Sequence, residues 1–166
     1  MNANDIRILF EYNYWARGRI MRQTLLLTPE QFNAPNTSSY GSLRGTLIHN
    51  MRAEMNWRKR LQGEQPTSSP ITDSETPTPQ SLEQAWAAEE ALMRAYLAGL
   101  TDAELNLPFE YKNYKGEAIK MIKWGILMQL VNHGTQHRAE AAAMLTDFNH
   151  SPGDVDLIVF LREKGF

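Results

Sequence analysis

"GILMQLVNHGTQHRAEAAAMLTDF", residues 125–148, is the stretch on which the reading of this fold turns. At 100° per residue, Ile126, Leu127, Leu130, Ala141, Met144 and Phe148 fall in one stripe, and Ile119 extends it backward. Recurrence at three- and four-residue steps over so long a run is helical period. It predicts a helix over 118–148. Two of the chain's four histidines sit on this face, His137 near the middle of the stripe and His133 near its edge. Gly134 shares the stripe and leaves room beside them. The pair is expected to point inward, where imidazole is poorly solvated.

Working outward, the same period recurs. Ile6, Leu9, Phe10, Ala16, Ile20 and Met21 predict a first helix over 4–26, with Asn13 as a polar group on its stripe. Ser42 is placed to cap a second helix running to Leu61. One side of that helix carries Leu43, Leu47, Asn50, Glu54, Trp57 and Leu61, and Ile48, Met51 and Met55 form a second apolar side. "GEQPTSSPITDSETPTPQS", 63–81, holds four of the eight prolines and predicts a long crossing loop. Ser81 is then the expected cap of a third helix, "LEQAWAAEEALMRAYLAGL", ending near Gly99. "TPEQ" at 28–31 and "TDAE" at 101–104 are capping-box patterns. "LPFEYKNYKGEAIK", 107–120, is strand-like and predicts a small hairpin around Asn113 to Gly116. Ser151 and Pro152 are expected to start a last short helix. Four long helices with one long connection predict an all-α, antiparallel four-helix bundle forming one domain over residues 1–166. A mixed α+β sheet would need more strand-like sequence.

Composition narrows the function. The chain has 166 residues, 42% hydrophobic and 22% charged, with a formal net charge of -2. That length buries a core without covalent staples. The basic footprint of a nucleic-acid binder is missing, and no stretch approaches the roughly 20 apolar residues of a membrane span. Asp5 and Glu11 stand where a signal peptide would be apolar, so a soluble cytoplasmic protein is expected. There is no cysteine, which removes disulfides, zinc–thiolate sites and a protein thiol nucleophile. Phosphate-binding glycine loops, a GxSxG elbow and a dinucleotide fingerprint are likewise missing from the sequence.

His133 and His137 are one helical turn apart, roughly 6 Å along the axis, and two imidazoles so spaced can bind one metal ion. The H-E-x-x-H motif uses the same spacing, but Gly134 stands where its general-base glutamate would be. A catalytic zinc takes three protein ligands and keeps a position open. Of the remaining histidines, His150 belongs to an exposed helix end, whereas His49 lies on the flank of the second helix and is the candidate third ligand. The alternative is a pair of core histidines satisfied by ordinary hydrogen bonds. Glu54, Glu140 and Asn50 are candidate partners for the outer ring nitrogens. Asn13, Tyr14 and Trp57 are candidate pocket residues, with plain core packing the alternative for Trp57.

With these pieces in place the chain resembles the DinB-like family of damage-inducible four-helix-bundle metalloproteins, also called DinB/YfiT-like. "YNYWARGRIM" at 12–21, "LIHNMRAEMNWRKRLQG" at 47–63, "LVNHGTQHRAEAAAML" at 130–145 and "SPGDVDLIVFLRE" at 151–163 are similar, in order, to the family's successive helices and closing segment. The resemblance covers essentially the whole chain. It implies three histidine ligands at His49, His133 and His137. After the paired histidines the family often has Arg-Gly-Gln, and this chain has Arg138, Ala139 and Glu140.

The resemblance also implies a divalent transition metal (zinc, nickel, iron or manganese) and a homodimer. It suggests thiol S-transfer from a low-molecular-weight thiol to an electrophile, with a small molecule supplying the thiol that the protein lacks. Hydrolysis is the close alternative, since a metal can acidify water as well as a thiol. A non-catalytic stress-induced binding protein with a structural metal is the second reading. A closed structural site needs a fourth protein ligand, for which Glu54 and Glu140 are the candidates.

Overall fold

The computed structural model describes residues 1–64, 78–113 and 115–166. Asn2 opens α1, Ala3–Thr24, through a capping box with Asp5. Thr28 does the same for the short α2, Pro29–Asn33, with Gln31. Ser42 Oγ accepts from Gly45 N and opens α3, Leu43–Leu61. α4, Pro79–Ala98, is capped three residues earlier than expected. Thr78 is the N-cap, Pro79 the first helical residue, and Ser81 the reciprocating third residue of the box. Proline fits there because its missing N–H would have had no helical partner. Thr101 and Glu104 box α5, Asp102–Leu105. The expected crossing loop, 63–81, therefore loses its last three residues to α4, and 65–77 lie outside the described residues.

The hairpin forms as β1, Pro108–Lys112, and β2, Ala118–Ile122, paired antiparallel with Tyr111 opposite Ile119. Asn113 Oδ1 accepts from the backbone of Lys115 and Glu117, and Gly116 takes φ 80° in the turn. This pairing shortens the last long helix, α6, to Lys123–Asp147. Ile119 thus belongs to a strand and not to the helical stripe. The helical pattern over 118–122 could not outweigh a ladder of cross-strand hydrogen bonds. The final helix, α7, is Leu157–Lys164 and starts well after Ser151–Pro152. Gly153 sits at φ 69° between them, a left-handed conformation that a helix cannot continue.

Four long helices enclose two apolar clusters. The first gathers the early part of α1 (Ile6, Phe10), the ends of α3 and α4 (Leu61, Met93, Leu97) and the start of α6 (Ile126, Leu127, Leu130). The second gathers the end of α1 (Ile20, Met21), the starts of α3 and α4 (Leu47, Met51, Leu82, Trp86) and the later part of α6 (Ala141, Leu145). Helices α1 and α6 therefore run one way, and α3 and α4 run the other. The end of α3 and the start of α4 lie at opposite ends of the bundle. α6 packs against both α1 and α3, so its two histidines meet whatever α3 presents.

Between the clusters lies a buried polar layer contributed by all four long helices. Asn13 Nδ2 donates to Glu54 Oε1 at 2.9 Å and Trp86 Nε1 donates to Glu54 Oε2 at 3.3 Å. Arg138 donates to Asn13 Oδ1 and, at 3.0 Å, to Thr135 Oγ1. Burial pushes the Glu54 carboxyl above its ordinary value, opposed by these donors. A deeply buried carboxyl is tolerated only when so partnered.

Candidate metal centre

His49 projects from α3, one residue before buried Asn50, and His133 and His137 project from α6. Their rings meet at the α3–α6 interface. Centroids are 5.0 Å apart for His49–His133, 4.8 Å for His49–His137 and 4.4 Å for His133–His137. One candidate ligand atom from each lies within 4.8 Å of the other two. The i, i+4 spacing supplies two of the rings locally, and the third arrives only because α3 packs on α6.

The surroundings of each ring differ. His137 is buried, and its Nδ1 is 2.9 Å from Glu140 Oε2, which leaves Nε2 for the centre. His133 Nε2 is buried and has no hydrogen-bond partner among the described residues. His49 Nε2 is 2.9 Å from the Tyr40 hydroxyl, and the Tyr40 ring stacks on His49 with centroids 3.9 Å apart. Burial, helped by the neighbouring imidazoles, lowers His49 from 6.5 to about 4 and lowers His133 in the same direction. Neutral imidazoles are the form a metal needs. Three convergent imidazoles, one carrying a buried ring nitrogen with no partner among the described residues, fit a divalent ion, and the cluster can hold one.

Tyr40 is the residue that the sequence reading missed. It comes from the loop before α3, which turns through Gly41 at φ 71°. A Cβ on Gly45 would stand 2.2 Å from the Tyr40 carbonyl oxygen, so only glycine at 45 lets the loop lie on the first turn of α3. Two glycines flanking a cap, in "YGSLRG", were the available signal. Burial and the nearby Glu140 charge raise the Tyr40 phenol, which keeps its proton at neutral pH.

The other candidates are sorted by position. Glu140 contacts the His137 ring, whereas Glu54 bonds Asn13 and Trp86, and the amide of Asn50 has no partner among the described residues. Gly134 does not leave an empty space. A Cβ there would meet Arg138 Nη1 at 2.6 Å and Asn13 Oδ1 at 2.8 Å. Asn13 thus lies behind the pair and not in a substrate pocket. Tyr14 lines a cleft of about 590 Å³ between α1, α4 and α7, together with Trp15, Arg17 and Arg94. No histidine lines that cleft. Trp57 packs on Tyr111 of the hairpin at 5.0 Å, as core packing would have it. A cavity of about 330 Å³ opens beside His49 and is lined also by Tyr40, Ile48, Arg44 and Arg52. His150 lies after α6, apart from the three-ring cluster.

A mainly helical bundle carrying three convergent imidazoles defines a class of candidate metalloproteins. The DinB family model matches residues 1–164, and the chain belongs to the DinB family. It is 26% identical to Protein DinB of Bacillus subtilis (strain 168), over 93% of this chain and 94% of that protein. A conserved protein from Enterococcus faecalis shares the fold with a TM-score of 0.65 at 15% identity, covering 84% of this chain and 94% of the other. A DinB-like protein from Bacillus cereus ATCC 10987 does so with a TM-score of 0.63 at 14% identity, covering 89% and 95%. Among the described residues, no helix is long and apolar enough to cross a membrane.

Proposed function

We propose that the protein is a metal-dependent enzyme in which His49, His133 and His137 hold a divalent transition metal with one side open to a small molecule. The single observation that carries this reading is the convergence of three imidazole rings beside an open cavity, with no carboxylate in the ligand cluster among the described residues. A bound ion would supply Lewis-acid chemistry, stabilising a thiolate or acidifying water. The protein's own groups do the rest. Glu140 fixes the orientation of the His137 ring. The protonated Tyr40 hydroxyl, freed from His49 by a small rotation, can donate to a group on the substrate. The favoured reaction is the one the family resemblance suggests, transfer of a low-molecular-weight thiol to an electrophile, with a small molecule supplying the thiol because the chain has no cysteine; hydrolysis would use the same groups.

Elemental analysis of untagged protein followed by cobalt substitution tests this reading. Visible spectra should report a site with three protein ligands, and added thiol should shift them. A spectrum indifferent to thiol and azide would remove the open position and leave a structural metal. His133→Ala is expected to abolish metal uptake while circular dichroism stays helical, since both apolar clusters close without the histidines.

A further inference from the structure

The cavity beside His49 has a chemistry of its own. Arg44 and Arg52 line it together with Tyr40, Ser42, Gly45 and Ile48. No carboxylate lines it among the described residues. Glu140, the carboxylate nearest the histidines, is engaged with His137 Nδ1. Arg52 Nε is buried and has no hydrogen-bond partner among the described residues. A guanidinium is the side chain best matched to a carboxylate or phosphate, which it binds through two parallel hydrogen bonds. The cavity also lies at the first turn of α3, whose end carries partial positive charge. At about 330 Å³ it is at the small end of the range for ligand sites, large enough for a short acidic arm and not for a macromolecule.

We propose that this cavity is an oxyanion subsite in which Arg52 holds a carboxylate or phosphate of the substrate while the reacting atom lies at the three histidines. The inference rests on the metal-site reading above and sharpens it: the small molecule is anionic, and its acidic group lies on the α3 side of the centre. His49 is both a candidate ligand and a wall of the cavity, so the cavity and the centre adjoin. Arg52 stands three residues after His49, on the next turn of the same helix, which fixes the spacing between subsite and centre. A neutral molecule of the same size would leave the guanidinium without an acceptor and bind more weakly.

The test uses the full chain without metal, so that it does not depend on turnover. Succinate, inorganic phosphate and neutral succinamide are titrated at constant ionic strength while nitrogen–proton correlation spectra follow Arg52 Nε–H and the amides of residues 43–52. Saturable shifts with an oxyanion and none with succinamide are expected; the tighter of succinate and phosphate assigns the group. Arg52→Gln should weaken binding roughly tenfold or more, Arg52→Lys should restore only part of it, and metal uptake should be unchanged in both. Equal shifts with succinamide, or undiminished oxyanion binding in Arg52→Gln, overturn the subsite. Failure to take up any metal with oxyanion binding intact would overturn the metal reading instead and leave the anion pocket standing.

Discussion

Glu140 and Gly134 each stand three residues from His137 and act in different ways. Glu140 accepts from His137 Nδ1, and such partners orient a ligand ring and raise its basicity. Glu140→Ala should weaken metal affinity about 10–100-fold in chelator competition, with little change in the metal-free protein's stability. Gly134→Ala should do the reverse. Alanine gains about 1 kcal/mol of helix propensity over glycine. Its methyl, however, would press into Arg138 and Asn13, which already bond each other inside the core. Overpacking costs about 1–3 kcal/mol and loss of that bond about as much again. A net loss on the order of 2 kcal/mol in urea denaturation is expected, with metal affinity changed far less. Sequence periodicity placed Gly134 on the inward stripe, but not which side chains fill the space above it, because Arg138 of the same helix is held there by its bond to Asn13 on α1.

At the scale of the element, local code was legible wherever the deciding contacts are three or four residues apart. The capping boxes at Thr28 and Thr101, the Ser42 cap and the hairpin turn at Asn113–Gly116 all form as read. The start of α4 was misplaced because "TPTPQS" offers two hydroxyl caps, and the proline after Thr78 decides between them. Thr78→Ala should therefore cost about 0.5–2 kcal/mol of stability. Ser81→Ala should cost less, since the Thr78 hydroxyl still reaches Ser81 N. Thermal melts of the two variants check the order. The borders of α6 and α7 moved for a related reason: strand pairing at Ala118–Ile122 and the left-handed turn at Gly153 outrank an apolar period that runs on past them.

For the molecule as a whole, acid should act through the histidines. His49 takes up a proton near pH 4 in the fold and near 6.5 when unfolded, and His133 is displaced in the same direction. Between those values the unfolded chain binds more protons, so stability rises with pH there. Metal-free protein should accordingly lose urea resistance as pH falls from 6.5 toward 4, and His49→Gln should flatten that slope. Metal should raise the melting temperature, by the equivalent of about 2.7 kcal/mol at a hundredfold excess over its dissociation constant, and the increment should shrink with acid as protons compete for the rings. From its sequence alone this chain determines its helices, most of their caps, a paired histidine turn and the candidacy of His49, since period and capping are set by near neighbours. Tertiary structure alone decides that the third imidazole reaches the other two, that Tyr40 stacks on it and that Arg52 lines a cavity with no lining carboxylate among the described residues. Those facts depend on how α3 is rotated and seated against α6, which side-chain packing between segments distant in the chain determines, and no local period records it.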